Sequence, residues 1–167
     1  MKKTLGKMVA AIVVVLSIAI FTSCARPYTA ERATTARDTR FIAYDNGTVL
    51  DTKTNLMWAT RDNGKIINWT EAKYYCENYR GGDYRDWRMP SQDELAGLYD
   101  KAEGYKSACG DEAHLTELIR LTCYWTWASE TRGSESACFR FGGGGYRCWG
   151  PPSGASFSRV LPVRSGK

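Results

Sequence analysis

Histidine is nearly absent from this chain: His114 is the only one in 167 residues. A single imidazole cannot build a multi-histidine metal site. With no partner at a recognisable catalytic spacing, His114 reads as a surface or capping residue. No CxxC pair occurs, which removes the commonest zinc-ligand spacing. GxSxG, HExxH and the P-loop are missing too, and the glycine run Gly142–Gly145 lacks the Lys-Ser/Thr that follows a phosphate cradle. The Glu-Pro-Asn, Gln-Pro-Asp and Trp-Asn-Asp triplets of calcium-dependent sugar sites are also absent, although carboxylates elsewhere leave calcium open. The expectation is a non-enzyme with no cofactor and no metal site.

Long apolar runs are scarce as well. The strongest, Met8 to Phe21, is fourteen residues interrupted only by Ser17, short of the roughly 20 needed to span a bilayer. Lys2, Lys3 and Lys7 precede it and Thr22-Ser23-Cys24 follow, the layout of an export signal. Phe21-Thr22-Ser23-Cys24 resembles a bacterial lipobox, with Phe21 where Leu is more usual. Residues 1–23 are therefore expected to be a lipoprotein signal peptide and Cys24 the acylated first residue of the mature chain. Cleavage by ordinary signal peptidase is the rival reading. Ala25 is not the aspartate that retains some lipoproteins in an inner membrane, so the expected location is the cell envelope, at the outer membrane of a two-membrane cell.

Excess positive charge is missing from what remains. Beyond residue 23, 20 basic residues face 18 acidic ones, so the basicity belongs mostly to the signal and gives no argument for nucleic acid. The mature 144 residues suit one domain. Six tryptophans and ten tyrosines supply large buried areas for its core.

Cysteine, in contrast, is plentiful. Cys76, Cys109, Cys123, Cys138 and Cys148 follow Cys24, and outside the cytoplasm such thiols pair. Leaving one of five unpaired, with three pairings of the other four, gives about fifteen frameworks. Cys76 lies on the apolar stripe of a predicted helix, where a free cysteine acts as a small hydrophobe. The other four are expected to pair as neighbours in sequence, Cys109 with Cys123 and Cys138 with Cys148, although three pairings of them are possible.

Residues 24–40 are polar and aperiodic and read as a flexible tether from the lipid, with the domain at 41–167. Phe41–Tyr44 reads as a strand, and Val49-Leu50 with Leu56–Trp58 as a hairpin. Asn68 with Glu71 forms a capping-box pattern before Ala72, Tyr75, Cys76 and Tyr79, a helical stripe stopped at Gly81-Gly82. Ser91 with Glu94 opens a second helix carrying Leu95, Leu98 and Tyr99. Residues 101–113 read as irregular and His114–Leu121 as one or two helical turns. Tyr124–Ala128, Ala137–Phe141 and Phe157–Val163 read as strands, Pro162 marking an edge or bulge. Strands, two helices, then strands give an α+β domain with a small, mostly antiparallel sheet.

The spaced segments Asp51–Trp58, Trp69-Thr70-Glu71-Ala72 with Tyr75-Cys76, Asp86–Ser91 with Glu94-Leu95, Tyr124-Trp125-Thr126 and Val160–Arg164 occur together in one order. In that order they resemble the Lcl C-terminal domain family over about residues 41–164. The resemblance implies a C-type-lectin-like fold with long, disulfide-stapled loops, distantly related to formylglycine-generating-enzyme domains. The adhesin that names the family binds sulfated glycosaminoglycans and trimerises with help from a collagen-like region, which this chain lacks.

Most motif residues have structural readings: Trp58, Trp69 and Trp87 as core anchors, and Arg88 as a partner of Glu94. The exception is 125–159, where aromatics and arginines sit among glycines and serines, the composition of adaptable binding surfaces. Trp125, Trp127 and Phe141 fit core positions. Arg132, Arg140, Tyr146, Arg147 and Trp149 are the candidate ligand contacts, rings stacking on sugars and guanidinium forks holding sulfate or carboxylate. The expected role is adhesin-like binding of an anionic glycan or an envelope protein. A structural envelope module without small ligand is the alternative, and an enzyme related to formylglycine generators, needing a free Cys138 or Cys148, is the weaker one.

Overall fold

The computed structural model describes residues 34–153 and 158–166. The signal peptide, Cys24 and Phe157 lie outside them. In chain order the elements are β1 Thr34–Arg37, β2 Phe41–Tyr44, β3 Thr48–Asp51, β4 Leu56–Ala59, α1 Trp69–Asn78, a 3-10 turn at Gly81–Asp83, α2 Gln92–Leu98, the two-residue pair β5 Tyr105–Lys106 and β6 Glu112–Ala113, then β7 Trp125–Arg132, β8 Glu135–Arg140, β9 Tyr146–Gly150 and β10 Val163–Ser165. This is the α+β class. Two main antiparallel sheets form, ordered β1-β2-β3-β4-β10 and β7-β8-β9. Among the described residues no helix is long and apolar enough to cross a membrane.

The first sheet starts earlier than Phe41. β1 lies within the stretch read as a tether and pairs with β2, Thr34 opposite Tyr44 and Arg37 opposite Ile42. Asp38 closes that hairpin: its Oδ1 accepts from the backbone N–H of Arg40 (2.7 Å) and of Phe41 (2.5 Å). An aspartate bonding its own backbone ahead is a turn signal.

Both helices start where their caps lie. Asn68 Oδ1 accepts from Glu71 N–H at 2.8 Å, but Glu71's carboxylate does not reach back to the Asn68 N–H, so the first capping box is half formed. Ser91 and Glu94 complete the second box. Arg88 grips Glu94 with both terminal nitrogens, at 2.7 and 2.6 Å, tying the 87–90 segment to α2.

The expected helical turns at 114–121 do not form. Long-range partners take their backbone: Arg120 N–H donates to Thr60 O at 2.8 Å and Ile119 O accepts from the Tyr105 hydroxyl at 2.7 Å. Leu115 and Ile119 are fully buried instead. The closing strand is also shorter than expected. Arg159 bridges to β7 through Trp127 N–H (2.9 Å), and regular pairing resumes only after Pro162, which has no N–H to donate.

Two apolar clusters organise the interior. Leu95 and Leu98 of α2 share one with Phe41, Val49 and Trp58 of the first sheet and Phe139 of the second. Ala72 and Cys76 of α1 share the other with Ile67, Met89, Trp127 and Cys138. Trp58 is buried in the first cluster, half-buried Trp69 packs on the second and donates its indole N–H to Ala128 O at 2.7 Å, and buried Trp87 packs edge-on against Tyr79 and Tyr84.

Candidate functional site

Both disulfides form between the expected partners, Cys109 with Cys123 and Cys138 with Cys148, and Cys76 stays free and buried. Cys138 and Cys148 face each other across β8 and β9. Neither sulfur of that pair is a free thiol.

The five candidate ligand residues all lie on the β7-β8-β9 sheet, but on opposite faces. Side chains alternate along a strand, and β9 sets Tyr146 opposite Arg140 and Cys148 opposite Cys138, while Arg147 lies opposite Phe139 and Trp149 opposite Ala137. The packing agrees: Cys148 and Trp125 lie against the α1 cluster, Trp149 against the α2 cluster.

On the α2 side, Arg147 pairs with Asp93 of α2. Arg132 pairs with Glu135 at 2.9 Å and lays its guanidinium 4.4 Å from the Trp149 ring centre. Both arginines therefore carry a carboxylate partner.

On the α1 side Arg140 is different. Its guanidinium carbon lies 4.9, 5.6 and 5.4 Å from the ring centres of Tyr124, Trp125 and Tyr146. Nη1 donates to the Tyr146 hydroxyl at 3.1 Å, and the buried Nε has no partner among the described residues. That tyrosine bond holds the Arg140 pKa above its ordinary value, with burial working against it. Among the described residues no carboxylate lies within ion-pair distance of Arg140. Trp125 meets Tyr146 edge-on at 5.9 Å, so the rings brace one another. Tyr146 is 41 % exposed.

The glycine run makes this arrangement possible. Gly143, Gly144 and Gly145 all have positive φ (62°, 103° and 63°), and a Cβ on Gly145 would come within 2.6 Å of the Tyr99 ring. Only glycine turns β8 into β9 here without displacing Tyr99.

His114 stands apart, its Nδ1 3.2 Å from Glu103 O and Nε2 3.5 Å from Glu112. Among the described residues no three His, Cys, Asp or Glu side chains converge as metal ligands would.

Two features escaped the sequence reading. Tyr124 belongs to the rings around Arg140. A second surface, a groove beside α1, carries exposed Ile66 and Tyr74. Tyr74 falls off the Ala72-Tyr75-Cys76-Tyr79 stripe, so an aromatic on the polar side of α1 was the available signal.

Two main sheets, two short capped helices and two disulfides define a disulfide-stapled α+β domain whose late strands carry an arginine–aromatic surface. The family model of the Lcl C-terminal domain matches residues 47–164, and the chain belongs to that family. No curated protein and no solved structure matches it.

Proposed function

We propose that this protein is a non-catalytic surface lipoprotein, anchored through Cys24 at the outer membrane, whose domain binds an anionic glycan or an acidic protein partner. The observation that carries the reading is Arg140: a cation framed by three aromatic rings with no carboxylate within ion-pair distance among the described residues, Asp111 acting on it only from further off. A sulfate or carboxylate would supply the missing counter-charge, while Tyr146 offers a flat face for a sugar ring. Bridging of Cys138 to Cys148 supports binding over thiol chemistry. Arg132, Arg147 and Trp149 form a separate patch on the other face, where bound anions would have to compete with Asp93 and Glu135.

A sulfated-glycan array probed with the full chain tests this. Binding that weakens steeply with added salt and falls on Arg140→Ala supports it. No glycan signal, with copurification of an envelope complex instead, would favour the structural-module alternative.

A further inference from the structure

The groove beside α1 has the chemistry of a second site, independent of Arg140. It is an open concavity of about 460 Å³ between the Lys65–Ile67 segment and the helix, within the size range of small-molecule sites. Tyr74, Tyr75 and Tyr79 line it, and Tyr75 and Tyr79 stand 5.9 Å apart with their planes tilted by 36°. Tyr74 is 69 % exposed and Ile66 55 %. Large apolar side chains held in solvent around one concavity mark a binding surface more than scattered exposure does.

Its charges are unspent. Glu71 lies one helical turn before Tyr74 and Tyr75, so the three share a side of α1. Among the described residues its carboxylate, which leaves the capping box half made, has no hydrogen-bond or ion-pair partner. The Lys65 ammonium, also on the lining, has none among the described residues either, although its backbone carbonyl accepts from Asn63. Arg80 at the far end is held in place by Glu77 O at 3.0 Å and Tyr79 O at 2.7 Å, neutral acceptors that leave its charge uncompensated. One anion, Glu71, and two cations, Lys65 and Arg80, thus border the same cavity, none of them in an ion pair among the described residues. Tyrosine faces with a carboxylate attract an ammonium group, above all a quaternary one that water hydrates weakly. A lysine attracts phosphate as a point charge.

We infer that the α1 groove binds an aminophosphate zwitterion of the phosphocholine class, its ammonium against the Tyr74–Tyr75–Tyr79 rings and Glu71, its phosphate toward Lys65. A plain anion would meet Glu71 and a plain cation Lys65, so the zwitterion satisfies both.

Calorimetric titration of the purified full chain with phosphocholine tests this. Saturable binding is expected, with choline alone and inorganic phosphate each at least about tenfold weaker. Tyr74→Ala and Glu71→Gln should each weaken phosphocholine binding by about tenfold, while Tyr74→Phe, which keeps the ring, stays within about twofold. Tyr74 is exposed and Glu71 unpartnered, so these variants keep the fold, which circular dichroism verifies. Competition by phosphatidylcholine vesicles would make a membrane headgroup the source of the ligand; failure to compete would make it a soluble or polymer-borne group. A folded wild-type chain that shows no saturable phosphocholine binding, or variants that bind as wild type does, would overturn the inference. Neither result bears on glycan binding at Arg140.

Discussion

Arg140 and Tyr146 face each other across β8 and β9, the guanidinium donating to the phenolic oxygen at 3.1 Å while its carbon lies 5.4 Å from the ring centre. The tyrosine thus holds the arginine in two ways, by its hydroxyl and by its ring. Arg140 Nε stays buried behind them, without a partner among the described residues. A cation positioned this way keeps its charge while losing the freedom of a surface side chain, so binding an anion costs less ordering entropy.

The two holds separate by substitution. Tyr146→Phe keeps the ring and removes the hydroxyl bond, so anionic-glycan binding should fall by about threefold or less. Tyr146→Ala removes both, and a loss of about tenfold, near 1.4 kcal/mol, is expected. Surface plasmon resonance on a sulfated glycan checks the ratio; equal losses would mean that the ring contributes nothing.

Cys76 should be inert. It is fully buried, and that burial, with Glu77 nearby, pushes its thiol pKa far up, so the reactive thiolate is scarce. Alkylation of the native, unreduced domain at pH 8 should leave Cys76 unlabelled for hours, and unfolding in urea should expose it as the one reactive thiol among residues 34–153. Labelling at Cys109, Cys123, Cys138 or Cys148 would contradict the disulfide pairing. Reduction of Cys109–Cys123, closing about 15 residues, should cost roughly 3 kcal/mol in the chain-entropy model.

Acid should destabilise the fold through two anchored carboxylates. Burial pushes Asp51 and Glu94 up, but hydrogen bonds outweigh it, from Arg40, Thr54 and Lys53 N–H to Asp51 and from Arg88 and Ser91 to Glu94, leaving both pKa values lowered. A lowered folded pKa adds stability that is fully present above the unfolded value and lost as pH falls through the folded one. Asp62 acts with the opposite sign: burial raises its pKa, so its contribution is present at low pH and lost as pH rises. The urea midpoint should hold from pH 7 to about 5 and fall below about 4.5. Arg88→Ala should flatten that fall. It should cost no more than about 1 kcal/mol at pH 7, because Arg88 is about half exposed.

Where local chemistry decided structure, the sequence was readable. Asn68 and Ser91 start helices by capping their own backbone, and the stripe through Ala72 and Cys76 buries the face it marks. Cys76's place on that stripe also singled out the unpaired thiol. His114–Leu121 departs from the helical expectation because backbone groups of Ile119 and Arg120 bond to Tyr105 and Thr60, partners that local periodicity does not register. For the candidate site, composition found Arg140, Tyr146, Arg147 and Trp149, but not their division. Only the register of β9 against β8 shows that Tyr146 and Arg147 leave the sheet on opposite sides, and that register is fixed by the glycine turn and the Cys138–Cys148 crosslink. Asp93, the partner of Arg147, lies 54 residues away in sequence and gave no signal.

That division makes one comparison decisive. Dissociation constants for a sulfated glycan should be measured for the wild-type chain, Arg140→Ala and Arg147→Ala in the same low-salt buffer. The account predicts a loss of at least about tenfold for Arg140→Ala and about twofold or less for Arg147→Ala, whose guanidinium is already paired with Asp93. Equal affinities for Arg140→Ala and wild type, or the larger loss at Arg147, would contradict it.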